Sequence, residues 1–411
     1  MGGFTPPVAS PASTNAGVRT VTQIDTATSL IRDVDPDIQF ETPEASPLTA
    51  ILKVLRKDDP AEQRKFEWFF IPEFPRDLSV SAAATAAATQ IVLAEVGGYA
   101  RLHRGMQLLN TRTGEVFVVG GAAEPSSNTI DIAGRAGAQA MQAGDGLRII
   151  GTAVEENSDK PAIRSQAEVA YFNYCQIHED IYGITGRAQN SGSYVGNEKS
   201  NERKKLMIRH NQSIEEILIN GYRYQNSTGG VVNSSELTYT GGLNFWIGSN
   251  VWNLANTTPT EEQFFDYLGY VSQFGPSGYE RKGSQSSGKL LLASPAWCRL
   301  FDKWFKDRLQ YEAITDKLGV KIGFVQSSIG EFMVKMHPMF GRPGYRDRLY
   351  VLDLALLGYK PHKGRDTMWA EGVQTPGGDR FEALVRTDFG LIAKGDERAH
   401  GRAYGLNLAT S

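Results

Sequence analysis

The stretch Gly283-Ser284-Gln285-Ser286-Ser287-Gly288-Lys289-Leu290 comes within one residue of the phosphate-cradling loop G-x4-G-K-[ST]. It fails that chemistry twice. Leu290 stands where a hydroxyl would hold magnesium, and the lysine opens the strand-like run Leu290-Leu291-Leu292, whereas such a loop leads into a helix N-terminus. The six histidines, His103, His178, His210, His337, His362 and His400, include no i, i+4 pair and no H-E-x-x-H, so only tertiary folding could gather a metal site. His178-Glu179-Asp180 carries acid–base groups, but consecutive strand residues point to opposite faces and the three are not expected to converge. Cys175 and Cys298 lie far apart in apolar or aromatic surroundings, which suits small buried hydrophobes rather than nucleophiles or a disulfide framework. No catalytic residue, cofactor or metal is therefore expected.

Composition narrows the classes further. The 411 residues include 43 Lys and Arg against 46 Asp and Glu, with 41% hydrophobic and 22% charged residues, which fits a soluble chain of two to three domains. The net charge of −3 is carried by residues 1–60, and the remainder balances. A dedicated nucleic-acid binder needs a basic excess, so only a local basic face is left to consider. The cluster Arg203-Lys204-Lys205 reads first as a solvated helix face. No basic region followed by an apolar core opens the sequence, and the apolar run at residues 349–359 is interrupted by Asp353 and too short to cross a bilayer. Neither export nor a membrane span is expected.

The elements follow from periodicity. Residues 1–45, rich in Pro, Ala, Ser, Thr and Asp, read as an arm that turns at Ser46-Pro47 into a short helix with Leu48, Ile51, Leu52 and Leu55 on one face. That face wants a partner surface. Residues 62–71 alternate, with Phe66, Trp68 and Phe70 on one side, and their strand partner is expected some 90 residues later at 167–177. Two long strands with a module between them make an extended hairpin with an enlarged tip. The module, residues 78–151, has short Val- and Ile-rich runs at Gly turns and predicts a small β-barrel. Residues 197–225 predict a long surface helix with Met207, Ile214, Ile217, Leu218 and Gly221 along one face and Glu215 and Glu216 away from it. Beyond a loop-rich excursion, an α/β unit opens at a capping box in Thr258-Pro259-Thr260-Glu261, with Phe264, Leu268 and Val271 inward, and continues through a buried strand at 289–293 and a Trp297/Leu300/Phe301 helix. A hairpin is predicted across residues 327–330, and strand alternation returns from 381 to 406.

Arm, extended hairpin with an enlarged tip, long helix and α/β unit, in that order and without an active-site motif, resemble the major capsid proteins of tailed bacteriophages. Three phrases strengthen the likeness: Ala167-Glu168-Val169 through Cys175-Gln176-Ile177 before Tyr182-Gly183-Ile184-Thr185, the helix phrase Ile214-Glu215-Glu216-Ile217-Leu218-Ile219-Asn220-Gly221, and Asp388-Phe389-Gly390-Leu391-Ile392 followed by Ala399-His400-Gly401. They resemble a branch of these proteins that carries a barrel in the E-loop.

The resemblance implies an α+β fold of the Hong Kong 97-like type. In it residues 1–60 are an N-terminal arm, 61–77 and 152–189 the E-loop strands, 78–151 the inserted barrel, and 190–258 the spine helix with peripheral-domain loops. Residues 259–357 are the axial domain and 358–411 the returning peripheral strands. It implies no catalysis and no cofactor, and as partners copies of the same chain in hexamers and pentamers, with portal, scaffolding or decoration proteins and weakly held double-stranded DNA. Head-to-tail contacts around five- and six-fold axes call for arms and loops laid over neighbours. Leu48, Ile51, Leu52, Leu55, Phe66, Trp68 and Phe70 are the candidate contacts between subunits. The rival readings are an encapsulin-like nanocompartment shell, a virion decoration or glycan-binding protein, and a nucleotide hydrolase built on residues 283–289.

Overall fold

The computed structural model describes residues 46–71, 74–121, 123–153, 156, 167–191, 197–226, 236–273, 289–304, 323–327, 330–394 and 399–408. The expected arm at 1–45 and the loop 283–288 lie outside them. Pro47, at the first helical position where its missing N–H costs nothing, starts α1 (Pro47–Leu55). Alternation makes β1 (Lys65–Phe70), and six short strands follow: β2 (Asp77–Ser79), β3 (Gln90–Val92), β4 (Met106–Asn110), β5 (Val116–Val119), β6 (Thr129–Ala136) and β7 (Gly146–Thr152). The chain then forms β8 (Val169–Tyr174), β9 (Gln176–Thr185), the short α2 (Gly186–Asn190) and the long α3 (Glu198–Asn220), whose first turn is capped by the Asn197 side chain. A loop-rich passage holds β10 (Tyr224–Asn226), β11 (Leu237–Tyr239) and α4 (Leu243–Trp246) before β12 (Val251–Thr257).

The α/β unit comprises α5 (Glu261–Ser272), β13 (Lys289–Ala293), α6 (Pro295–Trp304), β14 (Gly323–Ser327), β15 (Gly330–Met336) and β16 (Leu349–Leu352). The helix α5 begins two residues later than the sequence suggested. Thr260, not Thr258, is the N-cap, and Gln263 completes the reciprocal box. Four strands finish the chain: β17 (Leu357–Pro361), β18 (Met368–Glu371), β19 (Arg380–Ala393) and β20 (Gly401–Leu406).

Strand period two explains the centre of the molecule. In the six-stranded sheet β12-β20-β16-β13-β15-β14, Leu290 pairs with Leu352 and Leu292 with Tyr350 on one face, while Leu291 pairs with Val351 and Ala293 with Leu349 on the other. The first set packs with α1, α3 and α4, through Leu48, Ile51, Leu52, Ile214, Leu218 and Leu243. The second packs with α5 and α6, through Phe264, Leu268, Trp297, Leu300 and Phe301. A strand covered on both faces reads as a continuous apolar run, as Lys289–Ala293 does after its first residue.

The expected hairpin is present: β1 and β8 pair antiparallel from Lys65 with Tyr174 to Phe70 with Val169. Its second strand is shorter than expected. At Cys175 the chain leaves the hairpin, and β9 pairs with β19 from Gln176 with Phe389 to Thr185 with Arg380, so residues 176–185 belong to the returning sheet. Gly390 lies where that sheet meets the hairpin base. A Cβ there would stand 2.5 Å from the Phe66 ring, so glycine permits the approach.

The insert between β1 and β8 forms a six-stranded sheet in the order β2-β7-β4-β5-β6-β3. A closed barrel is not confirmed. The end strands meet at one bridge, Val80 with Leu93, rather than along a continuous ladder. Among the described residues, its buried cluster, which includes Leu78, Ile91, Leu108, Phe117, Ile130 and Leu147, draws only on residues 78–149, with the half-buried Phe74 packed against it. Replacing residues 78–151 by a short Gly-Ser link is therefore expected to leave the thermal midpoint of the remaining subunit within a few degrees of the parent's. A collapse of that midpoint would show that the insert holds up the body.

Two ion pairs inside the insert, one partly and one fully buried, set its acid response. Arg112 donates to both oxygens of Asp145, at 2.5 and 2.8 Å, and holds that carboxyl well below the usual carboxylate range. Burial alone would raise Glu115, but the Arg135 guanidinium at 2.6 Å outweighs it and keeps this carboxyl low as well. A folded pKa depressed below the unfolded value gives stability that is present above the unfolded value and lost as pH falls through the folded one. The insert is expected to hold its full stability above about pH 5 and to lose it progressively as pH falls below about 4 toward the depressed folded values. Unfolding followed against pH checks this, with Asp145→Asn flattening part of the slope; an unchanged slope in that variant would remove Asp145 from the account.

Candidate functional site

The candidate contact residues divide into two groups. Leu48, Ile51 and Leu52 are wholly buried against α3 and the central sheet, so the surface that α1 wants is supplied by the chain itself. Only Leu55, half exposed, and its neighbour Val54 face outward. Phe66 and Trp68 are buried too, in a cluster with Ala61, Cys175 and Ile392, and Trp68 meets Trp246 in a tilted contact at 5.1 Å and stacks on Tyr171 at 6.5 Å. Phe70, at the far end of the same face, is half-buried.

The hairpin base is pinned to the body by side chains. Asn173, fully buried, donates from Nδ2 to Leu391 O at 2.7 Å and Gly241 O at 3.0 Å and accepts Gly241 N–H at 2.8 Å. Arg223 adds a hydrogen bond to Phe172 O at 2.8 Å and lies over the Phe172 ring at 4.1 Å. The outer face and tip are different. Phe69 and Ile71 are 68% and 60% exposed, and Val169, paired with Phe70, is also exposed. The hairpin is thus buried at its root and exposed and apolar at its far end.

Sequence reasoning missed Glu215. Helical periodicity places it away from the apolar face, yet it is wholly buried. Its Oε1 accepts Leu48 N–H and His337 Nε2–H, each at 2.8 Å, and its Oε2 accepts Thr49 N–H at 2.7 Å and the Thr49 hydroxyl. The Ser46 side chain makes no capping bond, so this distant carboxylate caps α1. A signal was present in the helix: Leu206, His210, Ile214 and Leu218 recur every fourth residue, and Ile219 widens the buried face past Glu215.

The chemistry considered first finds its place as well. Lys289 is buried and its ammonium donates to Val271 O at 3.0 Å and Ala399 O at 2.7 Å, at the C-terminal end of α5, where a cation is favoured. Burial pushes the Cys175 and Cys298 thiols up to about 12, which keeps both protonated near neutrality. In the basic cluster, Lys205 pairs with Glu202 at 2.6 Å and Arg203 lies over Trp369 at 4.5 Å. Of His178, Glu179 and Asp180, Glu179 faces Arg386 at 2.6 Å, while the other two share a face and meet His210.

The family model of the SU10 major capsid protein matches residues 14–407. The chain belongs to that family. Its α+β architecture has hairpin, long helix and layered sheet in the order expected from the sequence. A major capsid protein acts through contacts with its own copies in the capsid of a virion, so the exposed hairpin tip is the feature to weigh. The search of curated sequences gave no match. Among solved structures, the chain is similar to Gordonia phage Cozz, at 11% identity over 98% of this chain and 99% of that one with a TM-score of 0.46. It is also similar to the cyanophage A-1(L) capsid, at 11% identity over 92% and 97% with a TM-score of 0.47. The holo-SrpI encapsulin complex from Synechococcus elongatus is similar at 11% identity over 95% and 96%, with a TM-score of 0.42.

Proposed function

We propose that this SU10-family capsid protein builds the icosahedral shell of a tailed bacteriophage from hexamers and pentamers, and that the hairpin tip lies on a neighbouring subunit. The observation that supports the second part is the contrast along one hairpin, buried and pinned at Asn173 and exposed and apolar at Phe69 and Ile71. The shell would enclose double-stranded DNA without gripping it, since the charge beyond residue 60 is balanced. Assembly would take place in the host cytoplasm, with portal, scaffolding or decoration proteins as further partners and no catalysis by this chain. Electron microscopy of the overexpressed full chain is the test, and closed shells are the expected result. Soluble monomers that bind glycans would instead favour a decoration protein, and shells that co-purify with a cargo enzyme would favour a nanocompartment.

A further inference from the structure

Strand period two places His178 and Asp180 of β9 on one face, and α3 brings the fully buried His210 against them. Asp180 Oδ2 lies 2.9 Å from His210 Nδ1 and 3.1 Å from His178 Nε2, and the two imidazoles stack with centroids 4.6 Å apart. All three ligating atoms lie within 4.8 Å of one another.

The protons around His210 can be assigned. Asp366, beside the Lys57 ammonium at 2.5 Å, is a carboxylate: burial alone would raise it, but Lys57 and Lys53 outweigh that and hold it below its ordinary value. A carboxylate only accepts. The Thr367 hydroxyl therefore donates to Asp366 Oδ1 at 3.4 Å, and the Thr387 hydroxyl donates to Thr367 at 3.2 Å. His210 Nε2 must then carry the hydrogen given to Thr387 Oγ1 at 2.8 Å. His210 Nδ1 lies 2.9 Å from the same carboxylate oxygen of Asp180. Beside it, His178 Nε2 is buried and, though near Asp180, too poorly aligned to make a hydrogen bond. An imidazole nitrogen left without a hydrogen bond beside a carboxylate oxygen is a donor free to bind a cation.

The geometry points to a divalent transition-metal ion of the zinc, nickel or cobalt kind, held by His178 Nε2, Asp180 Oδ2 and His210 Nδ1. Ligand bonds of about 2.1 Å meeting at angles between the octahedral and tetrahedral values put donor atoms roughly 3.0–3.4 Å apart, close to the spacing seen here about Asp180. Arg209 lies 3.4 Å from the other carboxylate oxygen, Oδ1, and so leaves Oδ2 to the ion. Thr387 fixes the His210 ring from behind, as an outer-shell partner does. The ion would tie β9 to the spine helix and, through Thr387, to β19.

Titrating the chelator-treated full chain with Co2+ and reading its visible d–d bands tests the site, with Zn2+ as competitor. One ion per chain is expected. His178→Gln and Asp180→Asn should each weaken binding at least tenfold, and Thr387→Val about tenfold without touching a ligand atom. His178 is partly exposed, so His178→Gln should unfold at the parent's midpoint in chelator, which separates lost binding from lost fold. His362→Gln should bind as the parent does. Absence of a bound ion in the parent overturns the proposal. So does binding that His178→Gln and Asp180→Asn both retain at parental strength.

Discussion

Glu215→Ala is expected to leave little folded subunit. The change would strand Leu48 N–H, Thr49 N–H, the Thr49 hydroxyl and His337 Nε2–H, all of which end on this carboxylate. His337 cannot turn its proton elsewhere, because its Nδ1 already accepts Met339 N–H at 3.2 Å. Each buried donor left without a partner costs about 1–3 kcal/mol, so losses at several donors together approach the 5–15 kcal/mol that holds a typical domain folded. Glu215→Gln keeps one acceptor oxygen and should fall between alanine and the parent. Chemical denaturation of the unassembled subunit is the measurement. A midpoint unchanged in Glu215→Ala would mean that α1 is held by its leucines alone. Deleting residues 46–55 should destabilise the subunit for the same reason, rather than produce a folded chain that merely assembles poorly.

What was legible in the sequence is what periodicity encodes. The alternation around Trp68 located the hairpin and the continuous run Leu290-Leu291-Leu292 located a strand covered on both faces, because side-chain direction follows directly from backbone period. What was not legible depends on a second body whose position no local pattern records. Glu215 looks like a surface acid until α1 and His337 are brought beside it. Leu48, Ile51 and Leu52 announced a need for cover without saying whether their own chain or another copy would meet it. His178 and His210 are 32 positions apart in sequence, on a strand and a helix, and only the packing of β9 on α3 stacks their rings. The same limit applies to the insert: turn spacing gave its strands, but whether the end strands close a full ladder is a matter of curvature, and here they meet at a single bridge.

The hairpin separates fold from assembly within a few residues. Trp68 is 7% exposed and packed on Trp246, so Trp68→Ala opens a cavity at the hairpin root and should cost the isolated subunit about 3–5 kcal/mol. Phe69, the next residue, points the other way and is 68% exposed, and Ile71 shares its side. Charging both, as Phe69→Asp with Ile71→Asp, removes no packing within the subunit and should leave its unfolding midpoint near the parent's. If the tip lies on a neighbour, each residue contributes roughly 1.5–3 kcal/mol by burial there, so the double variant should weaken each intersubunit contact by at least a hundredfold and abolish shells at concentrations where the parent assembles. Thermal unfolding of the unassembled subunit and the yield of shells by electron microscopy read the two effects separately. Normal shells from the Phe69/Ile71 double variant would place the hairpin tip in solvent in the assembled state, and the intersubunit contact would then have to be sought at Val54 and Leu55, the exposed end of α1.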